Sequence, residues 1–203
     1  MTKPTQTLRN FPLHTIESAP EGAKEPLNWY QENFQMVPNL SAVLAEAPAL
    51  LKSYWQTQLN LVAMGSLSSQ ENNIVQMSVA HANRCQYCVA GHTAFGKSEF
   101  FNNTDEQLNA IRKDLPFEEP KYNALRDFTL AVVAKHGRVS DQELEAFYAA
   151  GYTQAQALDV VTCIAAKVMS NYANQIVLTP VDEPFAALTE GLPYKEERGV
   201  KVA

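Results

Sequence analysis

The stretch that decides the fold is residues 67–92, which read LSSQENNIVQMSVAHANRCQYCVAGH. Near its start, Ser68 and Glu71 form a capping pattern, in which the hydroxyl accepts from an amide of the first helical turn while the carboxylate reaches back. An apolar segment follows, so the pattern predicts a helix that begins just after Ser68. The same pattern recurs further along the chain, at Thr104 with Gln107, Ser140 with Glu143, and Thr153 with Gln156.

Prolines and glycines mark further helix boundaries. Proline is favoured in the first turn of a helix and glycine just after its last turn. We therefore expect helices to begin at Pro48 and Pro120 and to end in left-handed turns at Gly65, Gly137 and Gly151. Between these marks apolar residues recur every three or four positions, and no segment alternates as a strand does. The sequence predicts an all-α fold.

The chain divides into three parts. Residues 1–25 contain several prolines and no helical period, which predicts an irregular N-terminal arm. Residues 26–185 are the predicted helical domain, and residues 186–203 are the predicted C-terminal tail. Residues 67–88 align with residues 152–173 without gaps, which leaves open an internal duplication of a helical unit.

Composition excludes several function classes. The 203 residues are 46% hydrophobic and 19% charged, and a charged fraction below the ~25% of average domains suggests much buried surface, some of it between subunits. A net charge of -6 argues against a nucleic-acid partner. No segment approaches the ~18 apolar residues of a membrane span, and the N-terminus lacks the apolar core of a signal peptide. Three cysteines are too few for a secreted disulfide scaffold, so we expect a cytoplasmic protein.

The motif that points to chemistry is Cys85-x-x-Cys88 followed by His92. On one helix Cys88 lies about 60° and His92 about 20° from Cys85, so the three side chains share a face. A thiol becomes a good nucleophile only when ionised, and a neighbouring histidine lowers its pKa. Cysteines three positions apart can also close into a disulfide. The motif therefore predicts a nucleophile, an activator and a resolving thiol, with no metal or cofactor.

Two other interpretations of the motif stay open. One is a metal site made of His81, Cys85, Cys88 and His92. On a straight helix the two histidines would be about 16 Å apart along the axis, too far for one ion, but a break near Asn83 and Arg84 would allow it. The other is a purely structural pair of buried thiols.

The motif and its surroundings resemble the alkyl hydroperoxidase D (AhpD-like) branch of the carboxymuconolactone decarboxylase superfamily. The resemblance extends over roughly residues 30–185. It rests on Asn83, Cys85, Tyr87, Cys88 and His92, on the capped helix before them, and on the segments Val37-Pro38-Asn39, Ala47-Pro48 and Ala149-Ala150-Gly151-Tyr152-Thr153.

This resemblance implies an AhpD-like helical subunit that assembles into homotrimers or homohexamers. It implies an antioxidant, thiol-dependent peroxidase that reduces alkyl hydroperoxides or hydrogen peroxide. Cys88 would be the peroxidatic thiol that becomes a sulfenic acid, and Cys85 would resolve it as a disulfide. A dithiol or a thioredoxin-like protein would supply the electrons. The apolar character of the helix before the motif, nearly all round, independently favours an oligomer.

Three further residues are candidates for a pocket or proton relay. The resembled family has a relay Glu at the position of Asn73, and often a His at the position of Tyr87. Tyrosine, with a pKa near 10, is no base at neutral pH. His81 lies one helical turn before Cys85. These departures keep two alternatives to the peroxidase in view: decarboxylase or lactone chemistry that does not need the thiols, and a non-catalytic thiol redox sensor.

Overall fold

The computed structural model describes residues 4–194 of the chain. This part folds into nine α-helices and one 3₁₀ helix, and its only β pairing is an isolated bridge between Gln6 and Pro12. The all-α prediction is confirmed. In chain order the helices are α1 (Glu21–Phe34), α2 (Asn39–Leu44), α3 (Pro48–Met64), α4 (Ser69–Ala82), α5 (Gln86–Gly96), α6 (Asp105–Arg112), α7 (Pro120–Ala134), α8 (Asp141–Ala149), α9 (Gln154–Val177) and the 3₁₀ helix Glu183–Thr189.

The predicted helix boundaries are confirmed with one exception. All four capping boxes form, before α4, α6, α8 and α9, and the two prolines begin α3 and α7. Gly137 and Gly151 adopt left-handed φ angles of 81° and 94°. Gly65 was expected to do the same, and that prediction is wrong, because its φ of -64° and ψ of 146° are extended. A β-carbon at Gly65 would instead collide with the Leu61 carbonyl oxygen.

Helix α4 lies at the centre of the subunit. It packs against α5, α7 and α9, and Val75, Met77 and Val79 are completely buried. Its apolar surface is therefore covered by the chain's own helices. Burial within the subunit therefore accounts for the apolar character of α4, and the predicted oligomer stays a prediction.

A stack of aromatic rings positions the start of α9. Phe128 of α7 stacks on Phe147 of α8 with ring centroids 4.2 Å apart, and Phe147 stacks on Tyr152 at 4.5 Å. Tyr152 directly precedes Thr153, the N-cap of α9. Offset stacking of aromatic rings is favoured by their charge distribution. The stack thus holds α9 in a defined position against α7 and α8.

Both terminal segments are more ordered than predicted. Helix α1 begins at Glu21, so the irregular arm ends at Pro20 and not at residue 25. Within the arm, Arg9 donates to the Ile176 carbonyl oxygen at 2.8 Å. The 3₁₀ helix extends to Thr189 and packs on α5, while residues 195–203 of the predicted tail lie outside the described residues. None of the helices within residues 4–194 is long and apolar enough to cross a membrane.

Candidate active site

The two motif cysteines lie at the break between α4 and α5. Arg84 has a left-handed φ of 54°, and two backbone hydrogen bonds close the turn, from Arg84 N to His81 O and from Cys85 N to Ala80 O, each 2.9 Å long. This pattern is a Schellman motif that ends α4. Cys85 then serves as the N-cap of α5. The expectation that Cys85, Cys88 and His92 share one helix is therefore wrong for Cys85, which precedes the helix.

This break places both thiols at the N-terminus of α5. Cys88 falls in the first turn of α5, and His92 follows one turn later. The N-terminal end of a helix carries partial positive charge, which stabilises a thiolate. Both cysteines are buried, with Cys85 0% and Cys88 3% exposed. The thiol pair is therefore shielded from solvent and electrostatically favoured as an anion.

A polar face of α9 meets the thiol pair. Asn174 Nδ2 donates to Cys88 Sγ at 3.2 Å and lies 3.8 Å from Cys85 Sγ. Asn171 lies beside the same thiol and favours its ionised form, and its side-chain oxygen accepts from Asn83 Nδ2 at 3.0 Å. The polar residues of this face recur at three- and four-residue intervals and are all buried: Lys167, Ser170, Asn171 and Asn174.

Lys167 is the cation of the site. It is 1% exposed, and its Nζ lies 2.7 Å from His92 Nε2 and 5.9 Å from the centre of the Tyr54 ring. Among residues 4–194 no carboxylate forms an ion pair with it. Burial lowers the pKa of Lys167, and the negative charges of Cys88 and Cys85 act against that shift. The thiol pair is therefore the negative partner of this buried cation.

These contacts determine the ionisation of Cys88. Burial opposes it, but the hydrogen bond from Cys85, the charge of Lys167 and the amides of Asn174 and Asn171 outweigh burial, and the pKa falls to about 6. The sequence predicted His92 as the activator through a direct or water-bridged hydrogen bond to Cys88. The structure places both ring nitrogens of His92 against other groups, so His92 acts on Cys88 through Lys167 and not directly.

His92 is held as a neutral ring. Its Nδ1 lies 2.7 Å from Asn73 Oδ1 and its Nε2 2.7 Å from Lys167 Nζ. Since an ammonium only donates, we assign the proton to Nδ1, which donates to Asn73. Burial, and then the charge of Lys167, hold the pKa of His92 well below its ordinary value. Asn73 in turn donates to Asn103 Oδ1 at 2.8 Å. At the position of the family's relay Glu, this chain thus has an amide that orients the ring.

Tyr87 and His81 do not reach the thiols. The Tyr87 hydroxyl donates to Asp182 Oδ2 at 2.5 Å and accepts from Leu40 N at 3.0 Å. It therefore links α5 to α2 and to the segment before the 3₁₀ helix, and its place in a pocket or relay stays a prediction. The ring of His81 packs edge-on against Tyr194 at 5.3 Å, and burial lowers the pKa of His81. His81 thus borders the Cys85 side of the site without joining the Lys167 network.

The helix break that a metal site requires is present, but its ligands are not brought together. Both ring nitrogens of His92 are engaged by Asn73 and Lys167. Within residues 4–194 no group of three or more His, Cys, Asp or Glu side chains is arranged to hold an ion. A buried ammonium next to the thiols also disfavours a cation there. The residues present do not fit the metal interpretation.

Comparisons with known proteins place this fold. Residues 48–115 match the model of the carboxymuconolactone decarboxylase family. A peroxidase-related protein from Ralstonia eutropha JMP134, described as an alkylhydroperoxidase AhpD core, superposes with a TM-score of 0.77 at 21% identity, covering 91% of this chain and 96% of that one. A peroxidase-related protein from Silicibacter sp. TM1040 gives 0.73 at 18% identity, covering 91% and 97%. The predicted AhpD-like resemblance is confirmed.

A third solved structure is that of an enzyme described by a different activity. It is a cysteine-to-alanine variant of the debrominase Bmp8 in complex with 2,3,4-tribromopyrrole, with a TM-score of 0.71 at 13% identity, covering 92% of this chain and 96% of that one. The comparison with curated proteins finds no match. At these identities the structural likeness establishes the AhpD-like fold and leaves the reaction to the residues of the site.

The candidate site draws on two separate parts of the sequence. Both cysteines, His92 and Asn73 lie within the matched residues 48–115, whereas Lys167, Asn171 and Asn174 lie outside them. Sequence analysis missed these three residues of α9. A signal was present, since the polar side chains at positions 167, 171 and 174 recur at the three- and four-residue spacing of one helix face. What the sequence alone does not tell is which helix that polar stripe faces.

We expect Lys167→Met to raise the pKa of Cys88 from about 6 toward the ordinary value of about 8.5. Cys88 reacts as the thiolate, so the rate of its alkylation by iodoacetamide in the native chain increases as the pH rises through about 6. In the variant the alkylation rate should increase only at higher pH, because the positive charge of Lys167 is absent. Mass spectrometry of Cys88 alkylation against pH measures the shift, with the exposed Lys52→Met as control. An unshifted profile would contradict the role of Lys167.

We expect Asn73→Asp to raise the pKa of His92. A carboxylate in place of the amide still accepts from Nδ1, and its charge favours the imidazolium. Aspartate preserves the side-chain length, which matters because the Asn73 amide packs closely on Gly96. A nuclear magnetic resonance titration of the His92 ring measures the change, and Asn73→Ala, which removes the acceptor without adding charge, is the control. An equally low pKa in both variants would show that Asn73 does not govern the ring.

Proposed function

We propose that this chain is a thiol-dependent peroxidase that reduces an alkyl hydroperoxide or hydrogen peroxide. The observation that carries the proposal is a buried Cys88 with a pKa lowered to about 6, next to a second thiol and a buried ammonium. At neutral pH Cys88 is then largely a thiolate, the form that attacks peroxides. A structural thiol pair would need neither the cation nor the donating amides.

The first step oxidises Cys88. Its thiolate attacks the terminal oxygen of the peroxide, the S–O bond forms, and the O–O bond breaks. The leaving alkoxide or hydroxide takes a proton from Lys167, which is the cation nearest the thiolate among the described residues. The products are the Cys88 sulfenic acid and an alcohol or water. His92 accepts a hydrogen bond from Lys167 and so keeps the ammonium aimed at the thiol pair.

The second step forms the disulfide. Neutral Lys167 takes the proton of Cys85, whose sulfur attacks Cys88 Sγ, and the sulfenic hydroxyl leaves with that proton as water. A dithiol or a thioredoxin-like protein then returns two electrons and two protons to regenerate both thiols. Since the cycle needs a supply of reduced thiols, we place the chain in a reducing compartment such as the cytoplasm. No step in this cycle needs a cofactor.

We expect the two cysteines to have different roles in a peroxide assay. Cys88→Ser should lose the fast reaction, whereas Cys85→Ser should form a Cys88 sulfenic acid and stop there, over-oxidising or pairing with another chain. Mass spectrometry after one equivalent of hydrogen peroxide or cumene hydroperoxide separates these outcomes. Cys163→Ser is the matched control, because burial raises the pKa of Cys163 to about 12 and it stays protonated. Rapid oxidation of Cys85 in the Cys88→Ser variant would reverse the assignment.

The same variants separate the alternative functions. Decarboxylase or lactone chemistry should survive in the double variant Cys85→Ser with Cys88→Ser, and its survival there would overturn the peroxidase proposal. A redox sensor should form the disulfide without consuming peroxide repeatedly when a reductant is supplied. A further arm offers 2,3,4-tribromopyrrole as substrate, because a debrominase shares the fold. Bromide release exceeding peroxide turnover would assign the thiol pair to dehalogenation.

We also propose that the chain is a homo-oligomer, a trimer or hexamer, that buries the outer face of α9. Apolar side chains on this face are exposed at three- to four-residue spacing, which is the pattern of a helix that packs against another helix. Leu158 is 71%, Tyr172 53% and Ile176 58% exposed. Exposed apolar surface of this extent on a soluble protein marks an interaction site.

We expect the outer face of α9 to govern the mass in solution. Light scattering after size-exclusion chromatography should give a multiple of the 22.5 kDa subunit mass. Leu158→Glu combined with Tyr172→Glu should reduce it to that of one subunit, because charge repels charge across the contact. The exposed Glu145→Lys on α8 is the control. A native chain that is monomeric at micromolar concentration would contradict the proposal.

A further inference from the structure

The thiol pair has no open route for a large reactant. Cys85 is 0% and Cys88 3% exposed. Reduction of a disulfide requires an incoming thiolate to reach one of the two sulfur atoms directly. A protein dithiol is far larger than a peroxide, so part of the structure must move before it can react. The covering groups therefore decide which reductants are accepted.

The incoming thiol should attack Cys85. In disulfide exchange the sulfur with the lower thiol pKa leaves more readily. Cys88 is that sulfur, since its pKa is lowered to about 6 and Asn174 and Lys167 stabilise its anion. The attack therefore falls on Cys85 Sγ. The side of the pair that matters for the reductant is therefore the Cys85 side.

Tyr194 covers that side. It is 6% exposed, and its ring contacts two residues of the turn that carries Cys85: His81 at 5.3 Å and the guanidinium of Arg84 at 5.8 Å. Burial, and after it the charge of Cys85, raises the pKa of Tyr194, as expected for a hydroxyl close to that thiol. The hydroxyl is buried and has no hydrogen-bond partner among the described residues. The ring is thus packed against the turn that carries Cys85 and is held there by ring contacts, without a hydrogen bond from its hydroxyl to the described residues.

Two features govern the position of the segment that carries Tyr194: a pair of hydrogen bonds from Arg112, which we call the latch, and Gly191, about which the chain can rotate. Arg112 donates to the Leu188 and Glu190 carbonyl oxygens, each at 2.6 Å. Gly191 follows with a φ of 73°, a left-handed conformation that favours glycine. Within the described residues no hydrogen bond restrains positions 192–194. A rotation about Gly191 would move the ring while the 3₁₀ helix stays docked on α5, and it would also separate Leu192 from the core against which it packs.

We propose that Tyr194 selects the reductant of the Cys85–Cys88 disulfide by closing the Cys85 side of the thiol pair and opening to admit an attacking dithiol. This inference rests on the proposed peroxidase cycle. With Tyr194 displaced, one thiolate of the dithiol bonds to Cys85 Sγ and releases the Cys88 thiolate. The second thiol of the reductant then attacks its own sulfur in the mixed disulfide and releases Cys85. The reductant leaves as a disulfide, and its two protons remain with Cys85 and the Cys88–Lys167 pair.

The test labels the reduced chain with two thiol reagents of different size, fluorescein maleimide and iodoacetamide. We expect Tyr194→Ala to accelerate labelling of Cys85 by the bulky reagent about tenfold or more, because reactivity scales with the open fraction. Iodoacetamide should change by less than about twofold. Tyr194→Phe retains the ring and should label as the native chain does. Arg112→Met, which removes the latch, should shift labelling in the same direction as Tyr194→Ala.

Three outcomes overturn the inference: no acceleration in Tyr194→Ala, equal acceleration of both reagents, or a Tyr194→Phe variant that behaves like Tyr194→Ala. A second measurement follows reduction of the preformed disulfide by a thioredoxin and by dithiothreitol, and the ratio of the two rates should rise in Tyr194→Ala. Labelling of the reduced thiols needs no peroxide. If peroxide never forms the disulfide in the native chain, the proposed function fails while the labelling result still decides the role of Tyr194.

Discussion

The buried ammonium of Lys167 is the interaction on which the rest of the site depends. Removing a charge from water costs several kcal/mol unless a partner of opposite charge and good hydrogen bonds compensate. Lys167 is 1% exposed, and among residues 4–194 no carboxylate pairs with it. Its compensation comes from the His92 lone pair, the face of the Tyr54 ring and the thiolate of Cys88. Ionisation of Cys88 and burial of Lys167 therefore stabilise each other.

This pairing gives a physical reason for the amide at Asn73. A carboxylate there would bind the proton on His92 Nδ1 more strongly and add a second negative charge near Lys167. That charge would compete with Cys88 for the single buried cation. Asn73 orients the same ring through a hydrogen bond of 2.7 Å. Because its amide is neutral, it does not compete with the Cys88 thiolate for Lys167. The departure from the family's Glu thus fits a site in which lysine activates the thiol.

The sequence predicted the helices well because their boundary signals are local. A capping box involves residues three positions apart, and all four that were expected before α4, α6, α8 and α9 are formed. The break at Arg84 was weighed only as a condition for a metal site. No glycine marks it, and its left-handed conformation is stabilised by hydrogen bonds to His81 and Ala80. The placement of Cys85 before α5 followed from that break and was missed with it.

The composition of the site was only half predictable, for a related reason. Cys85, Cys88 and His92 lie within eight residues, so spacing alone indicates that they meet. Lys167, Asn171 and Asn174 approach them from a helix more than seventy positions away, and Tyr87 faces Asp182 from a comparable separation. A stripe of polar residues on one helix shows that something polar faces it, but not what. That information comes from the packing of α9 against α4 and α5.

The division of the site between two segments has a consequence for chains that share this fold. The matched residues 48–115 contain Cys85, Cys88 and His92, and these identify a thiol pair. The groups that ionise Cys88 come largely from α9, whose position is set by its own capping box and by the aromatic stack at Tyr152. A chain with the same cysteines and an apolar α9 would retain the hydrogen bond from Cys85 but lose the charge of Lys167 and the polar side chains of α9, so the pKa of its Cys88 would be higher. The reactivity of the motif therefore depends on the helix that faces it as well as on the motif itself.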